Sequence, residues 1–303
     1  MAVADLLRSF STTEHGIKPR DDEVDLFGVT HPGLIRKENQ DHFLAATVHQ
    51  QIVLHGTSLP GADQLPMRSQ RLGTMMMVAD GVGGGADGGD ASLLAVASIT
   101  SYVASSMRCF HSAGHHAEQQ FLAELKAAAL EAHDAVRAES ATRISQDPRP
   151  RSRSMATTLT LAMVVWPSVY VVQVGDSRCY HYQVRENRLR KQTRDQTLAQ
   201  DLVDKGALPA ERAAASPFAH VLASAIGGTE AAPDVTTFMV GPGDVLLLCS
   251  DGLTKHVTDE QIAEACRTQK GSEQLCRTLL DMALKGGGSD NVTVLAGQAH
   301  RRS

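Results

Sequence analysis

No C-x-x-C pair occurs among the five cysteines, Cys109, Cys179, Cys249, Cys266 and Cys276. Its absence removes the spacing of a zinc knuckle and of a thioredoxin-like redox site. An odd number also fits a disulfide framework poorly, so reduced thiols packed as small apolar residues, and a cytoplasmic location, are expected. Basic excess is missing too. Lys and Arg total 29 against 34 Asp and Glu, a net charge of −5, which argues against a nucleic-acid-binding surface. The opening residues lack a basic segment followed by an apolar core, so no signal peptide is expected. No apolar run approaches the ~20 residues needed to cross a bilayer, so no membrane partner is expected either. No internal repeat is evident.

What is present is the composition of a globular protein: 42% hydrophobic and 21% charged over 303 residues, enough to bury a sizeable core in one large domain. Residues 1–23 are polar and mixed and read as a flexible N-terminal arm; residues 24–303 read as the domain. Strand patterns occur at 24–30, 42–48 and 74–79, with a loop insertion carrying Gly56, Pro60, Gly61 and Pro66 between the last two. A glycine-rich turn at 81–89 opens a helix to about Met107, and a second helix spans about 117–141. After a basic loop at 148–153, four strands follow in succession near 156–165, 168–174, 178–184 and 187–192. Short turns between consecutive strands imply antiparallel hairpins and not β-α-β crossovers. Helical segments near 196–205 and 209–215 precede strands near 219–224, 234–240 and 244–249. Helices at 258–268 and 272–285 and a strand at 291–296 complete the chain. Runs of strands and runs of helices predict an α+β protein, with two sheets packed face to face and helices outside.

Several strand ends carry an aspartate beside a glycine or a small polar residue: Asp80-Gly81, Gly175-Asp176, Asp251-Gly252 and, before its strand, Ser289-Asp290. Asp41 also stands just before a strand. Each pair alone reads as an ordinary turn. Together they can converge on one edge of a sandwich, where like charges repel unless cations neutralise them. Hard oxygen ligands select Mg²⁺ or Mn²⁺. Two such ions can activate a water for in-line attack on phosphorus, which suits phosphate-ester hydrolysis.

These residues lie in strings that resemble, in order, the metal-dependent type 2C (PPM family) protein serine/threonine phosphatases of the bacterial type. They are Gly33-Leu-Ile-Arg36-Lys-Glu-Asn39-Gln40-Asp41, Val78-Ala-Asp80-Gly81-Val82-Gly83-Gly84 and Ala156-Thr157-Thr158-Leu159-Thr160. Next come Val174-Gly175-Asp176-Ser177-Arg178 and Leu222-Ala-Ser-Ala225-Ile226-Gly227. Last are Leu248-Cys-Ser-Asp251-Gly252-Leu253-Thr254 and Ser289-Asp290-Asn291-Val292-Thr293. The resemblance covers about Val24 to Ala296 and implies a four-layer α-β-β-α sandwich of two antiparallel sheets flanked by helices. It implies hydrolysis of phosphoserine and phosphothreonine in proteins by a metal-bridging hydroxide, with two core Mn²⁺ or Mg²⁺ ions. Asp80 would bridge them with the Gly81 carbonyl on one, and Asp251 and Asp290 would complete the other. Asp41 would hold metal-bound waters, Asp176 with Asp251 would form a third, weaker site, and Arg36 would grip the substrate phosphate. Phosphorylated proteins, and a bacterial Ser/Thr kinase whose action is reversed in signal transduction, would be the partners of a monomer.

The chain departs from the family pattern in places. Val82 stands where many eukaryotic members carry a histidine proposed as general acid, which leaves protonation of the leaving group to metal-bound water or another group, with His42, next to Asp41, a weak candidate. Asp195-Gln196 replaces an Asp-His pair, removing an outer contact. Asp90 replaces a glutamate at a helix start, where an acid complements the dipole. Residues 200–217 match the family's flap, or form an ordinary helical hairpin. Arg149, Arg151 and Arg153 read as a solvated loop, Met75 to Met77 as core, and His111, His115 and His116 as an interhelical loop. Two other functions are weighed: a catalytically silent phosphoprotein-binding relative, which the presence of Asp80, Asp251 and Asp290 disfavours, and a phosphatase of small molecules, which stays open.

Overall fold

A computed structural model describes residues 17–49, 71–82, 86–106, 115–146, 155–213 and 215–300. The loop insertion, the basic loop, Cys109, His111, Gly83, Gly84 and the first sixteen residues of the N-terminal arm lie outside the described residues.

One sheet joins β1 (Val24–His31), β11 (Val292–Ala299), β10 (Val245–Cys249), β7 (Arg178–Gln183) and β8 (Arg188–Lys191), in that order. The other joins β2 (Asp41–His49), β3 (Arg71–Val82), β5 (Leu159–Val165), β6 (Ser168–Val174) and β9 (Asp234–Met239), with the two-residue β4 (Ala156–Thr157) beside β3. Every pairing is antiparallel. Helices α1 (Ala86–Ser106) and α2 (His115–Gln146) pack on the second sheet. Helices α5 (Asp259–Thr268) and α6 (Ser272–Lys285) cover the first. Two short helices, α3 (Leu198–Asp204) and α4 (Asp251–Thr254), lie at the site edge.

Strand periodicity distributes the core into layers. Met75, Met77 and Ala79 point into the cluster beneath α1 and α2, whereas Met76 and Val78 point into the cluster between the sheets. In the other sheet Leu246, Leu248 and Leu295 fill the central layer, and Leu247, Val294 and Ala296 meet α5 and α6. Successive side chains on a strand alternate faces, so a sheet covered on both sides reads as a continuous apolar run. The α-β-β-α order follows from these clusters. The methionine run is core, as its sequence suggests, and Cys179, Cys249, Cys266 and Cys276 are buried, free thiols raised by burial.

Some expected elements differ. The glycine-rich turn is shorter than its composition suggests, because β3 runs to Val82 and α1 already includes Gly88 and Gly89. A Cβ on Gly81 would come within 2.3 Å of the Gly88 carbonyl oxygen, so the missing side chains let α1 press on the strand end. Residues 219–224 form no strand: Leu222 makes a single bridge with Thr197. Two further backbone bonds, Leu198 N to Val221 O and Ala223 N to Gln196 O, tie this segment to the front of α3, not to a sheet. The helix expected near 209–215 shrinks to a 3-10 turn at Ala210–Arg212. His115 and His116 open α2 and do not belong to an interhelical loop. Residues 18–23 are tied to β3 through Arg71, whose guanidinium donates to the Pro19 carbonyl at 2.7 Å and pairs with Asp21. Among the described residues no helix is long and apolar enough to cross a membrane.

Candidate metal centre

The sheet topology carries the strand-end aspartates to one edge. Asp41 opens β2 and Asp80 nears the end of β3, and antiparallel register sets them opposite each other. Side chains directly opposite in such a pair share a face. Asp41 is buried, and its Oδ2 accepts hydroxyl hydrogen bonds from Ser250 and Thr293, each at 2.7 Å. Both donors belong to the opposite sheet edge, so this carboxylate joins the two sheets. Its Oδ1 is buried with no hydrogen-bond donor.

Asp80 is fixed through its backbone. Its N–H donates to Thr158 Oγ1 at 3.0 Å, and its carbonyl accepts from the Thr158 N–H at 2.8 Å and the Thr157 hydroxyl at 2.9 Å. The Thr157-Thr158 string therefore clamps the strand end. Beside it, Gly81 is buried and donates its N–H to the Gln40 carbonyl at 3.2 Å.

Asp176 occupies the β6–β7 turn. Gly175 sits at φ +101°, where a Cβ would be strained and would lie 2.9 Å from that of Thr158. Gln196 holds the same turn. Its Oε1 accepts from the Gly175 N–H at 2.8 Å, its N–H donates to the Gly175 carbonyl at 2.9 Å, and its amide donates to Ala232. Gln196, standing where the family pattern has histidine, thus makes contacts of its own to the turn that bears Asp176. Its neighbour Asp195 is engaged side-on by Arg178, with Nη2 at 2.7 Å and Nε at 3.0 Å.

Asp251 starts α4, and Asp290 precedes β11. The adjoining Asn291 anchors the loop that bears Arg36: its Nδ2 donates to the Pro32 and Glu38 carbonyls at 2.9 and 2.8 Å, and its Oδ1 accepts from Gln40 at 2.9 Å. Arg36 meets Asp290 through Nε at 2.8 Å and Nη2 at 3.0 Å.

Electrostatics separate the carboxylates. Burial, then the charges of Asp41, Asp251, Asp176 and Asp290, raise Asp80 well above the usual carboxylate range. Burial and the Asp251 charge, opposed by the Ser250 and Thr293 hydroxyls, push Asp41 up to about 6. Burial, then Asp251 and Asp195, push Asp176 up to about 7. Asp290 goes the other way: burial is outweighed by hydrogen bonds from Lys255 and Arg36, which hold it below the usual range.

Lys255 is the residue that motif reading missed. Its Nζ lies 2.7 Å from Asp251 Oδ2 and 2.7 Å from Asp290 Oδ2. The signal was available, since Lys255 stands four residues after Asp251 and i,i+4 side chains on a helical turn are neighbours. Among the described residues no three histidine, cysteine or acidic side chains are arranged to hold a metal ion. The donor set nevertheless suits a hard divalent cation: carboxylates that raise one another's pKa, and a buried Asp41 oxygen with no donor. His42 does not serve this recess. It follows Asp41 on the strand and so faces the other way, with Nδ1 2.9 Å from the Ser92 hydroxyl on α1. Asp90 does more than complement a helix end, because it accepts from Arg143 of α2 at 2.6 Å. A cleft beside the acidic cluster is lined by Asp176, Lys191, Asp195, His220, Asp251 and Lys255, with Gln200, Ala210 and Ala213 on its other wall.

The chain is similar to known protein phosphatases. The family model described as "Protein phosphatase 2C" matches residues 56–286. The serine/threonine protein phosphatase PstP of Mycobacterium tuberculosis is 35% identical over 221 residues, 73% of this chain. The match spans only 39% of PstP's own length. The serine/threonine phosphatase Stp of Listeria welshimeri is 36% identical over 46% of this chain and 56% of its own. A crystal structure of the M. tuberculosis phosphatase PstP/Ppp superposes with a TM-score of 0.71 at 29% identity, covering 92% of this chain and 99% of that one. A PstP catalytic-domain structure in complex with two manganese ions gives 0.67 at 29% identity, with the same coverage.

Proposed function

Because this chain belongs to the protein phosphatase 2C family, we propose that it hydrolyses phosphoserine and phosphothreonine in proteins, with Mn²⁺ or Mg²⁺ as cofactor. The observation that carries the reading is the gathering of Asp41, Asp80, Asp176, Asp251 and Asp290, in which burial and then the charges of the other four raise Asp80. Asp80, the Gly81 carbonyl, Asp251 and Asp290 would hold two core ions, Asp41 would orient water beside them, and Asp176 with Asp251 would hold a third. When bound, the ions supply Lewis acidity for the phosphoryl oxygens and lower the pKa of the attacking water.

The chain's own groups do the positioning. Arg36, half-exposed at the rim, has a planar fork that suits two phosphate oxygens. Its present partner is Asp290, so substrate phosphate competes with that carboxylate for it. The Asp41 oxygen turned from Ser250 and Thr293 would accept a hydrogen bond from ordered water. Thr157 and Thr158 keep Asp80 in place while charge changes around it. Residues 24–303 form the phosphatase domain, behind an arm at 1–23. Phosphorylated proteins in the cytoplasm, a Ser/Thr kinase among them, are the partners of a monomer in signal transduction; the manganese complex of PstP supports the choice of metal.

One observation favours a second reading, the catalytically silent binding module: Lys255 already neutralises Asp251 and Asp290. Phosphate release from a phosphothreonine peptide with Mn²⁺, Mg²⁺ or EDTA separates the two. Release that EDTA abolishes supports the phosphatase; binding of the peptide without release under every condition supports the module.

A further inference from the structure

We propose that Lys255 is a tethered cation that competes with the divalent ion for Asp251 and Asp290, so that metal entry between these carboxylates requires its side chain to leave. The inference rests on the phosphatase reading above and adds a control on metal affinity to it.

The geometry is that of a bridging counter-ion. One ammonium touches one oxygen of each carboxylate at the same distance, 2.7 Å, although the two acids are 39 positions apart in sequence (290 − 251). Asp251 is the first residue of α4 and Lys255 caps its end, so a single helical turn places the cation over the acid that begins it. Asp290 arrives independently, from the entry to β11. An ammonium has three donors and suits such a bridge.

A hard divalent cation takes carboxylate oxygens as ligands, the same kind of atom that the ammonium now holds. A dication drawn to the two oxygens that the ammonium bridges would be opposed by its positive charge. Asp290 is also held by Arg36, through Nε on Oδ1 and Nη2 on the same Oδ2 that Lys255 contacts, so two cations restrain one prospective ligand. The displaced lysine has a place to go, since Lys255 lines the cleft shared with Asp176 and Asp195.

The test is isothermal titration of the full chain with Mn²⁺, using wild type, Lys255→Met and Lys191→Met. Methionine keeps much of the lysine stem and removes the charge. Lys191 lines the same cleft but pairs with Asp195 at 3.4 Å, so its loss removes an equal charge without freeing Asp251 or Asp290. Lys255→Met is expected to bind Mn²⁺ about tenfold tighter or more at one site, a difference well resolved by calorimetry, and Lys191→Met less than about threefold. The melting temperature gained on adding Mn²⁺ should be larger for Lys255→Met than for wild type, which checks that the variant folds. Affinity in Lys255→Met equal to or weaker than wild type overturns the inference while leaving the phosphatase reading intact. Equal tightening in both variants also overturns it, because general electrostatics would then suffice. Failure of every protein to bind Mn²⁺ overturns the inference together with the reading beneath it.

Discussion

Asp41 and Asp80 stand opposite each other across the β2–β3 ladder, and burial raises the pKa of both carboxyl groups. The pairing is unfavourable for two ionised acids in a protein interior, and it lies beside the Ser250 and Thr293 hydroxyls that hold only one Asp41 oxygen. Function, not stability, explains such a pair.

Stability without metal should therefore depend on pH in a defined direction. Asp41 and Asp176 have folded pKa values near 6 and 7, above their unfolded values near 3.8. The folded state holds more protons than the unfolded one across that interval, so their contribution is full below about pH 4 and is lost as pH rises through 6 to 7. Asp290 acts oppositely, but below pH 4, because its folded pKa is depressed. In EDTA the melting temperature should fall between pH 5 and pH 8. Saturating Mn²⁺ should flatten that slope, and a flat profile in EDTA would contradict the electrostatic description.

Asp80→Asn should separate the two roles of the cluster. Hydrolysis is expected to fall by more than about 10²-fold, the upper range for disturbing even outer contacts of a metal site. The same change removes a charge that repels its neighbours, so the metal-free melting temperature should hold or rise. Activity that survives the substitution would count against the two-metal mechanism.

Arg36→Lys keeps the charge but loses the planar fork. For a phosphothreonine peptide, kcat/KM should drop about tenfold, the loss expected for one charge-assisted hydrogen bond. An unchanged kcat/KM would remove Arg36 from phosphate binding.

Asn291→Ala breaks three hydrogen bonds to the loop that carries Arg36. Urea unfolding should show a loss of about 2 kcal/mol or more, since backbone groups are left without partners. Peptide KM should rise as well, because Arg36 loses its platform. A stable variant with unchanged KM would show that the loop holds itself.

Much of the fold could be read from the chain. The helices α5 and α6 and the strands β1, β6, β10 and β11 fall close to where alternation and helical spacing put them. Legibility fails after the segment at 200–217, where residues 219–224 have strand-like composition but make only a single bridge, between Leu222 and Thr197. Strand propensity becomes a strand only where a partner is in reach. At the site, the acids were visible because aspartate beside glycine recurs at strand ends. The roles of Ser250, Thr293, Thr157 and Gln196 were not, because each acts on a residue distant in sequence.

The sequence by itself determined the layered class, the core runs and the identity of the acidic donors, since these depend on local periodicity and on side-chain chemistry. Tertiary structure decided the rest. Register set Asp41 against Asp80, the meeting of two sheet edges gave Asp41 its hydroxyl donors, and the approach of α4 to the start of β11 put Lys255 between Asp251 and Asp290. Which charges face each other is a property of distance in space, and Coulomb energy reads distance in space and not along the chain.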